Sequence, residues 1–337
     1  MNLLPVFTLG AALLLCPLSL QAAENNSWPE SSSASIATPI ENEAAGFNGF
    51  IKQAQRMAAS EGIGARGLNA LANAQFLPRV IELDRKQPEN KITFAEYWDN
   101  VSLPERIAKG KKLKNLYAKE LAILQQRYGV SAGVVMALWA METNFSHNMG
   151  KFLVVDSLAT LAYEGRRKEF FSKELIAALK IIDRRGGVLK GSWAGAMGGC
   201  QFMPSSYLNF AKAWNNTATA DIWGNPRDVL TSAAHYLAAH GWQKGQKWGM
   251  EVKLPAHYNP AMVGKSNSMK TWGLVGIKRK NGQALPNSAE TPTLVIPDDS
   301  SGRAFLVNEN YNVIKKWNKS SYFALSIGLL ADQFGAI

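Results

Sequence analysis

Val134-Val135-Met136-Ala137-Leu138-Trp139-Ala140-Met141-Glu142 is the stretch that decides the fold. Eight apolar residues run without interruption into one carboxyl. A helix that is apolar on every side belongs inside a protein. Glu142 is the only formally charged side chain between Tyr128 and Gly150, so no Lys or Arg three or four positions away can pair with it. Desolvation raises the pKa of such a carboxyl, which suits a group that gives up a proton near neutral pH. Two readings remain from spacing alone: a working acid, or a buried glutamate held by an arginine distant in sequence.

Outward from this stretch the pattern is mostly helical. Phe47, Phe50, Ile51, Ala54 and Met57 follow helical spacing, and a second helical segment begins near Leu68. Arg79 to Pro88 reads as a short strand-like link closed by proline. Pro104 opens one long amphipathic helix, with Leu113, Leu116, Tyr117, Leu121 and Leu124 inward and Gly129 at its end. Lys168 to Asp183 is amphipathic and stops at Gly186-Gly187. Asn225-Pro226 is an N-cap followed by a first-turn proline. Thr293–Ile296 and Arg303–Val307 bracket a hairpin, and Ser321 to Phe334 closes the chain as a helix.

The chain has 337 residues, 47% of them hydrophobic, enough for a large core. A charged fraction of 19% argues against wholesale disorder. The net charge of +11 favours an anionic partner. Nucleic acid is not expected, because the cations are dispersed and no nucleic-acid-binding motif is present. Leu3 to Leu20 is apolar and ends near Ala22-Ala23, as a secretory signal does, although no Lys or Arg precedes it. Residues 1–22 are therefore expected to be a signal peptide, with a periplasmic destination, and 23–45 a flexible tether. Lipid anchoring at Cys16 is disfavoured, because Leu15 stands where lipoprotein signals resemble one another in a small residue. Loss of the signal leaves Cys200 as the sole cysteine, excludes an internal disulfide and favours burial of the thiol.

Other chemistries lack their motifs. The glycines at 191, 195, 198 and 199 are not followed by Gly-Lys-Ser/Thr, so this is no phosphate loop. It reads either as close backbone approach to an extended ligand or as a tight connection between helices. His147, His235, His240 and His257 form no metal face, and no Gly-x-Ser-x-Gly elbow occurs. No cofactor and no metal are expected.

Ala137 to Phe145 resembles the catalytic-helix motif of the lytic murein transglycosylase B family. Leu158 to Arg167, Gly191 to Gly198 and Gln201 to Tyr207 resemble that family in the same order, and the likeness runs from about Phe47 to near the C-terminus. It implies a mainly α fold: a lysozyme-like lobe at about 105–250, a further helical lobe, and a small β element. Segment 290–337 would complete a long groove, and 46–337 would be the catalytic domain. It implies cleavage of the glycosidic bond between N-acetylmuramic acid and N-acetylglucosamine, closing a 1,6-anhydro ring, with Glu142 as sole acid and base. Ordinary glycosidases need two carboxylates; Glu164 and Glu169, the next acids in sequence, have charged neighbours and are expected at the surface.

The same resemblance places Tyr97, Ser192, Gln201, Phe202, Tyr236, Trp317 and Asn318 against glycan. The expected partner is the peptidoglycan strand, with the protein a monomer and an association with cell-wall synthesis or division machinery left open. Four positions depart from the family pattern: Ser146 replaces a glycine, Phe323 and Trp317 each replace a tyrosine, and an EF-hand-like loop reads Ala213, Asn215 and Thr217, with only Asp221 acidic. Calcium needs several hard oxygen ligands, so the site is expected to be lost. A weakly catalytic glycan-binding scaffold and a hydrolytic muramidase stand as alternatives.

Overall fold

The structure is a computed structural model that describes residues 40–86, 92–217, 219–299 and 302–335. The expected signal peptide lies outside these residues. Its elements in chain order begin with α1 (Ile40–Ser60), α2 (Ala65–Ala72), α3 (Pro78–Arg85), α4 (Phe94–Val101), α5 (Pro104–Leu116), α6 (Ala118–Tyr128) and α7 (Ala132–Thr143). Strand β1 (Phe152–Leu153) leads to α8 (Val154–Glu164), α9 (Lys168–Arg185), β2 (Lys190–Gly191), α10 (Pro204–Phe210) and α11 (Pro226–Ala239). The chain ends with β3 (Gly249–Lys253), α12 (Met269–Leu274), β4 (Lys278–Arg279), β5 (Thr293–Val295), β6 (Ala304–Val307), α13 (Glu309–Trp317) and α14 (Ser321–Phe334). The expected mainly helical class with a small β element holds. Helix α1 starts inside the stretch read as tether. Among the described residues no helix is long and apolar enough to cross a membrane.

The described residues divide into two compact units, one of 40–86 and 142–232, the other of 92–141 and 233–335. In the first unit α8 and α9 form the central hairpin, with α2 and α10 against α9 and α3 against α8. Phe47, Phe50, Phe76 and Tyr163 pack ring against ring where α1 meets α8. Helix α2 has no capping side chain of its own; Asp183 of α9 accepts from the Gly64 and Gly67 N–H groups at 2.6 and 2.7 Å. A carboxylate at a helix N-terminus satisfies orphan donors and opposes the dipole.

The strand-like reading of Arg79–Pro88 is corrected: Arg79 to Arg85 lie in α3, and residues 87–88 lie outside the described residues. Pro78 sits in the first turn, where its missing N–H costs nothing, and Val80 and Asp84, one turn apart, are both buried. Asp84 is bonded by Arg166 and Arg167. The expected surface position holds for Glu169, which is exposed, but not for Glu164, whose side chain is 10% exposed and pairs with Arg85 at 3.0 Å.

The single long helix expected from Pro104 is also corrected. It is two helices, broken at Tyr117 (φ −101°, ψ 22°), and Leu116 is left 67% exposed, whereas Leu121 and Leu124 are buried. Gly129 ends α6 in the left-handed conformation (φ 74°), as its type predicts.

In this second unit α14 packs on α4, α5 and α13. The expected hairpin is β5–β6, with Leu294 opposite Leu306. It belongs to a four-stranded antiparallel sheet ordered β4-β3-β6-β5, of which β3 and β4 escaped the sequence reading. Val252, Met269, Trp272, Ile277, Leu294 and Leu306 form its core. Arg303 pairs doubly with Glu251 at 2.8 and 2.9 Å and lies over the rings of Phe94, Trp98 and Phe305.

Candidate functional site

Every side chain from Val134 to Ala140 is 3% exposed or less, so α7 is buried all round, as its composition requires. Glu142 differs: it is partly exposed, one residue before the helix ends. The backbone immediately after α7 is unusual. Asn144, Phe145 and Ser146 have φ of 48°, 60° and 62°, three consecutive non-glycine residues in the left-handed region. Each costs free energy and persists only where its surroundings enforce it. Ser146 stands where the resembling proteins carry glycine and adopts the conformation that favours glycine.

Thr143, 1% exposed, supplies the enforcement. Its Oγ1 accepts from the Ser146 N–H at 2.9 Å and donates to the Gly199 carbonyl at 3.1 Å. One hydroxyl thus closes the turn after Glu142 and ties it to the glycine-rich segment. Further ties run beside it. Gln201 Nε2 donates to the carbonyls of Met149 at 3.2 Å and Gly198 at 2.9 Å. Phe152 pairs with Gly191 across β1 and β2. A Cβ at Gly150 would stand 2.0 Å from the Gly191 carbonyl oxygen, so only glycine permits this approach. Within 191–199, a Cβ at Gly191 would meet the Ala196 carbonyl oxygen at 2.2 Å and one at Gly199 would meet Ser146 Oγ at 2.6 Å, so these glycines serve close packing, the last of them against the turn after Glu142.

Ser192 is buried, and its Oγ accepts from the Ala196 N–H at 3.0 Å. Gln201 is partly exposed at φ 49°. Phe202 is 3% exposed, its backbone paired in both directions with Met197. Cys200 is buried, as expected, and donates to the Val229 carbonyl at 3.3 Å. Burial pushes its thiol well above the usual range, and the charge of Glu142 adds to the shift. A thiol held protonated in this way is a packing group rather than a nucleophile.

The remaining expected residues lie on the second unit. Tyr236 and Trp317 meet edge to face at 4.8 Å, and the Tyr236 hydroxyl donates to the Lys316 carbonyl at 2.8 Å. His240 stacks on Tyr236 at 3.9 Å, and burial lowers its pKa. Asn318 Oδ1 accepts from the Ser320 N–H at 3.0 Å. Tyr97 meets Tyr322 edge to face at 5.7 Å. Phe323 is buried, while the neighbouring Tyr322 hydroxyl donates to Asp298 at 3.1 Å.

The first unit's other buried carboxylates are all committed to structure. Glu174 accepts from Ser205 N–H and Oγ at 2.8 and 2.6 Å, which anchors the start of α10. Asp156 accepts a backbone N–H from Gln75, and burial raises its pKa. Asp228 accepts from the N–H groups of Trp214 (2.9 Å) and Asp221 (2.7 Å) and from Asn225 Nδ2 (2.9 Å).

Asp228 thereby spans the loop with the EF-hand-like likeness. In that loop Asp221 Oδ1 already accepts from the Trp223 and Gly224 N–H groups at 3.1 and 3.0 Å. Asn215 Oδ1 accepts from the Thr217 hydroxyl at 2.9 Å, and Ala213 is buried with no side-chain oxygen, its carbonyl accepting from the Asn216 N–H at 3.2 Å. Asp221 is the one carboxylate at these positions, and its Oδ1 and that of Asn215 already accept from protein donors, so these residues do not fit a calcium ion. Among the described residues no three His, Cys, Asp or Glu side chains form a metal-holding group.

Comparison with known proteins supplies the lineage. The family model described as "Transglycosylase SLT domain" matches residues 46–332. The crystal structure of SltB3 from Pseudomonas aeruginosa in complex with NAG-anhNAM-pentapeptide superposes with a TM-score of 0.82 at 40% identity, covering 86% of this chain and 80% of that one. The lytic transglycosylase Slt35 of Escherichia coli, in complex with calcium, gives 0.71 at 28% identity over 87% and 92% of the two chains. Membrane-bound lytic murein transglycosylase B of Escherichia coli (strain K12) is 29% identical over 275 residues, 78% of this chain and 75% of its own.

Two outcomes are expected from this geometry. Thr143→Val keeps the shape and removes both hydrogen bonds of the hydroxyl. It should lower kcat about 10- to 100-fold through misplacement of Glu142 with KM little changed, and Thr143→Ser should restore most of it; an unaltered kcat in a folded Thr143→Val protein would refute the positioning role. For the loop, millimolar calcium or chelator should leave the melting temperature unchanged. Asp228→Ala should instead cost about 1–3 kcal/mol in urea unfolding, because two part-buried N–H groups and the Asn225 amide lose their acceptor.

Proposed function

The chain belongs to the transglycosylase SLT domain family and is a lytic transglycosylase acting on peptidoglycan; on that premise we propose that Glu142 is its single catalytic acid and base. The observation that carries the assignment is the turn after it: three left-handed residues locked by Thr143 onto the glycine-rich segment. Strained backbone of this kind, rigidly over-determined, clusters at working sites. The commitment of Asp84, Asp156, Glu174 and Asp228 to arginines or backbone donors supports a one-carboxyl mechanism.

In that mechanism the Glu142 carboxyl gives its proton to the oxygen between N-acetylmuramic acid and N-acetylglucosamine as the bond from the anomeric carbon breaks. The carbonyl oxygen of the muramic N-acetyl group bonds to that carbon in place of the leaving group. The Glu142 carboxylate then takes the proton of the 6-hydroxyl, whose oxygen displaces the acetamido oxygen and closes the 1,6-anhydro ring. Glu142 ends protonated, as it began, and no water is consumed. The solved complexes of SltB3 contain NAG-anhNAM-pentapeptide and NAG-NAM-pentapeptide, a product-like and a substrate-like fragment of this chemistry.

Tyr97, Ser192, Gln201, Phe202, Tyr236, Trp317 and Asn318 are the residues we assign to glycan. The Tyr236–Trp317 pair suits sugar recognition, since amphipathic rings stack on apolar sugar faces while their polar edges bond outward. Phe202, being enclosed, would act through the backbone it orders. Residues 46–337 form the catalytic domain in this reading. Export to the periplasm rests on the apolar Leu3–Leu20 segment, and the unlipidated form follows from Leu15 before Cys16.

Glu142→Gln keeps the shape but not the proton. Turnover of purified sacculi should fall about 10²–10⁴-fold while glycan binding persists; near-normal turnover in the folded variant would remove Glu142 from the chemistry. Mass spectrometry of products formed in ¹⁸O-water should show unlabelled 1,6-anhydromuramic ends. Labelled reducing ends would instead mean hydrolysis.

A further inference from the structure

In the second unit the ends of α11 and α13 are joined by hydrogen bonds that close on themselves. Tyr236, in the last turn of α11, has a carbonyl that accepts from His240 Nδ1 at 2.7 Å. The His240 carbonyl, just beyond that helix, accepts from Lys316 Nζ at 3.0 Å. The Lys316 carbonyl, in the last turn of α13, accepts from the Tyr236 hydroxyl at 2.8 Å. Each of Tyr236, His240 and Lys316 thus gives one side-chain proton and one carbonyl to the ring. Carbonyls in the last turn of a helix lack partners within it, and the Tyr236 hydroxyl supplies one to Lys316.

The side chains stack as well as bond. Residues four apart on a helix share a face, and the His240 imidazole lies against the Tyr236 ring at 3.9 Å, 24° from parallel. A carbonyl cannot donate, so Nδ1 carries the imidazole proton that reaches Tyr236. Burial first, and then the Lys316 ammonium and His235, lower the pKa of this ring, which keeps it neutral at pH 7.

This arrangement divides the labour between Tyr236 and Trp317. Tyr236 is 9% exposed, with one ring face covered by His240 and its hydroxyl bonded to Lys316. Trp317 is partly exposed and meets the Tyr236 ring at 4.8 Å. Of the two, Trp317 presents the surface on which a sugar ring can stack, and Tyr236 is its support.

We propose that His240, with Lys316, is a positioning residue for glycan: it fixes Tyr236, and through it the Trp317 ring and the Asn318 side chain that follows. The inference rests on the assignment of Trp317 and Asn318 to glycan and adds two residues that act behind them. A platform already held in its bound position loses less freedom when ligand arrives. That gain is the same for substrate and transition state, so it appears in KM rather than in kcat. A ring that served only to fasten two helix ends would leave KM unmoved in the folded protein.

The test measures kcat and KM on soluble, uncrosslinked peptidoglycan strands, with urea unfolding to confirm that each variant is folded. His240→Ala should raise KM about tenfold, the combined effect of one ring stack and one hydrogen bond, with kcat little changed. Lys316→Met, at an exposed position, keeps the aliphatic stem and removes the ammonium; it should raise KM as well. Trp317→Ala should raise KM, and adding His240→Ala to it should raise KM no further, because the group through which His240 acts is gone. Should His240→Ala fail to fold, Lys316→Met takes its place in the same cycle. If Trp317→Ala leaves KM unchanged, the glycan assignment of Trp317 falls and this proposal falls with it. If Trp317→Ala raises KM while His240→Ala and Lys316→Met do not, the assignment stands and the positioning role is refuted. Additive effects of the His240 and Trp317 substitutions refute it too.

Discussion

The hydroxyl of Thr143 is the contact that ties the turn after Glu142 to the glycine-rich segment. It holds the Ser146 N–H with one lone pair and gives its proton to the Gly199 carbonyl. It is one of the bonds that hold a turn of three left-handed residues in place. With it, the end of α7 is fixed against a glycine-rich segment in which a Cβ at Gly199 would meet Ser146 Oγ at 2.6 Å. The site is rigid because every strained element is satisfied by a neighbour that is itself held. That is the condition for a catalytic group to be placed before substrate arrives.

A second theme is the use of carboxylates as fasteners. Asp84, Asp183, Glu174 and Asp228 each join segments distant in sequence by accepting from arginines or from backbone N–H groups. The loop crossed by Asp228 is the one whose likeness suggested calcium. Its architecture obeys the same logic as a metal site, in that an ion's place in ordering the backbone is taken by a side chain whose charge is already inside the protein. Buried charge is costly unless fully bonded, and the three donors around Asp228 meet that requirement.

The second unit handles charge the opposite way. Glu251 and Arg303 are matched and covered by aromatic rings, whereas Lys253 and Lys278 are set against one another at the surface. The matched pair and the opposed pair both draw on the same strand, β3, so the contrast is local and is written two positions apart.

Sequence alone determined the mainly helical class, the buried course of α7 and the position of Glu142, because an unbroken apolar run ending in one carboxyl has few physical solutions. It also determined the ends of α6, α9 and α14, where glycine or the cap residues act locally. It misread α3, since Pro88 suggested a short closed link while Pro78, the first-turn residue that opens the helix, was passed over. It joined α5 to α6 because the break at Tyr117 carries neither glycine nor proline. Strand β3 went unseen although Met250-Glu251-Val252-Lys253-Leu254 alternates apolar with polar residues, because the run is short, and the two residues of β4 are too few to carry a pattern; Arg303, 52 residues from Glu251, makes that carboxylate acceptable in the sheet. The bond between Thr143 and Gly199 spans 56 residues. A threonine in an apolar helix gives no sign of its partner, and only the tertiary structure, by bringing the carbonyl within 3.1 Å, turned it from a helix residue into the clasp of the site.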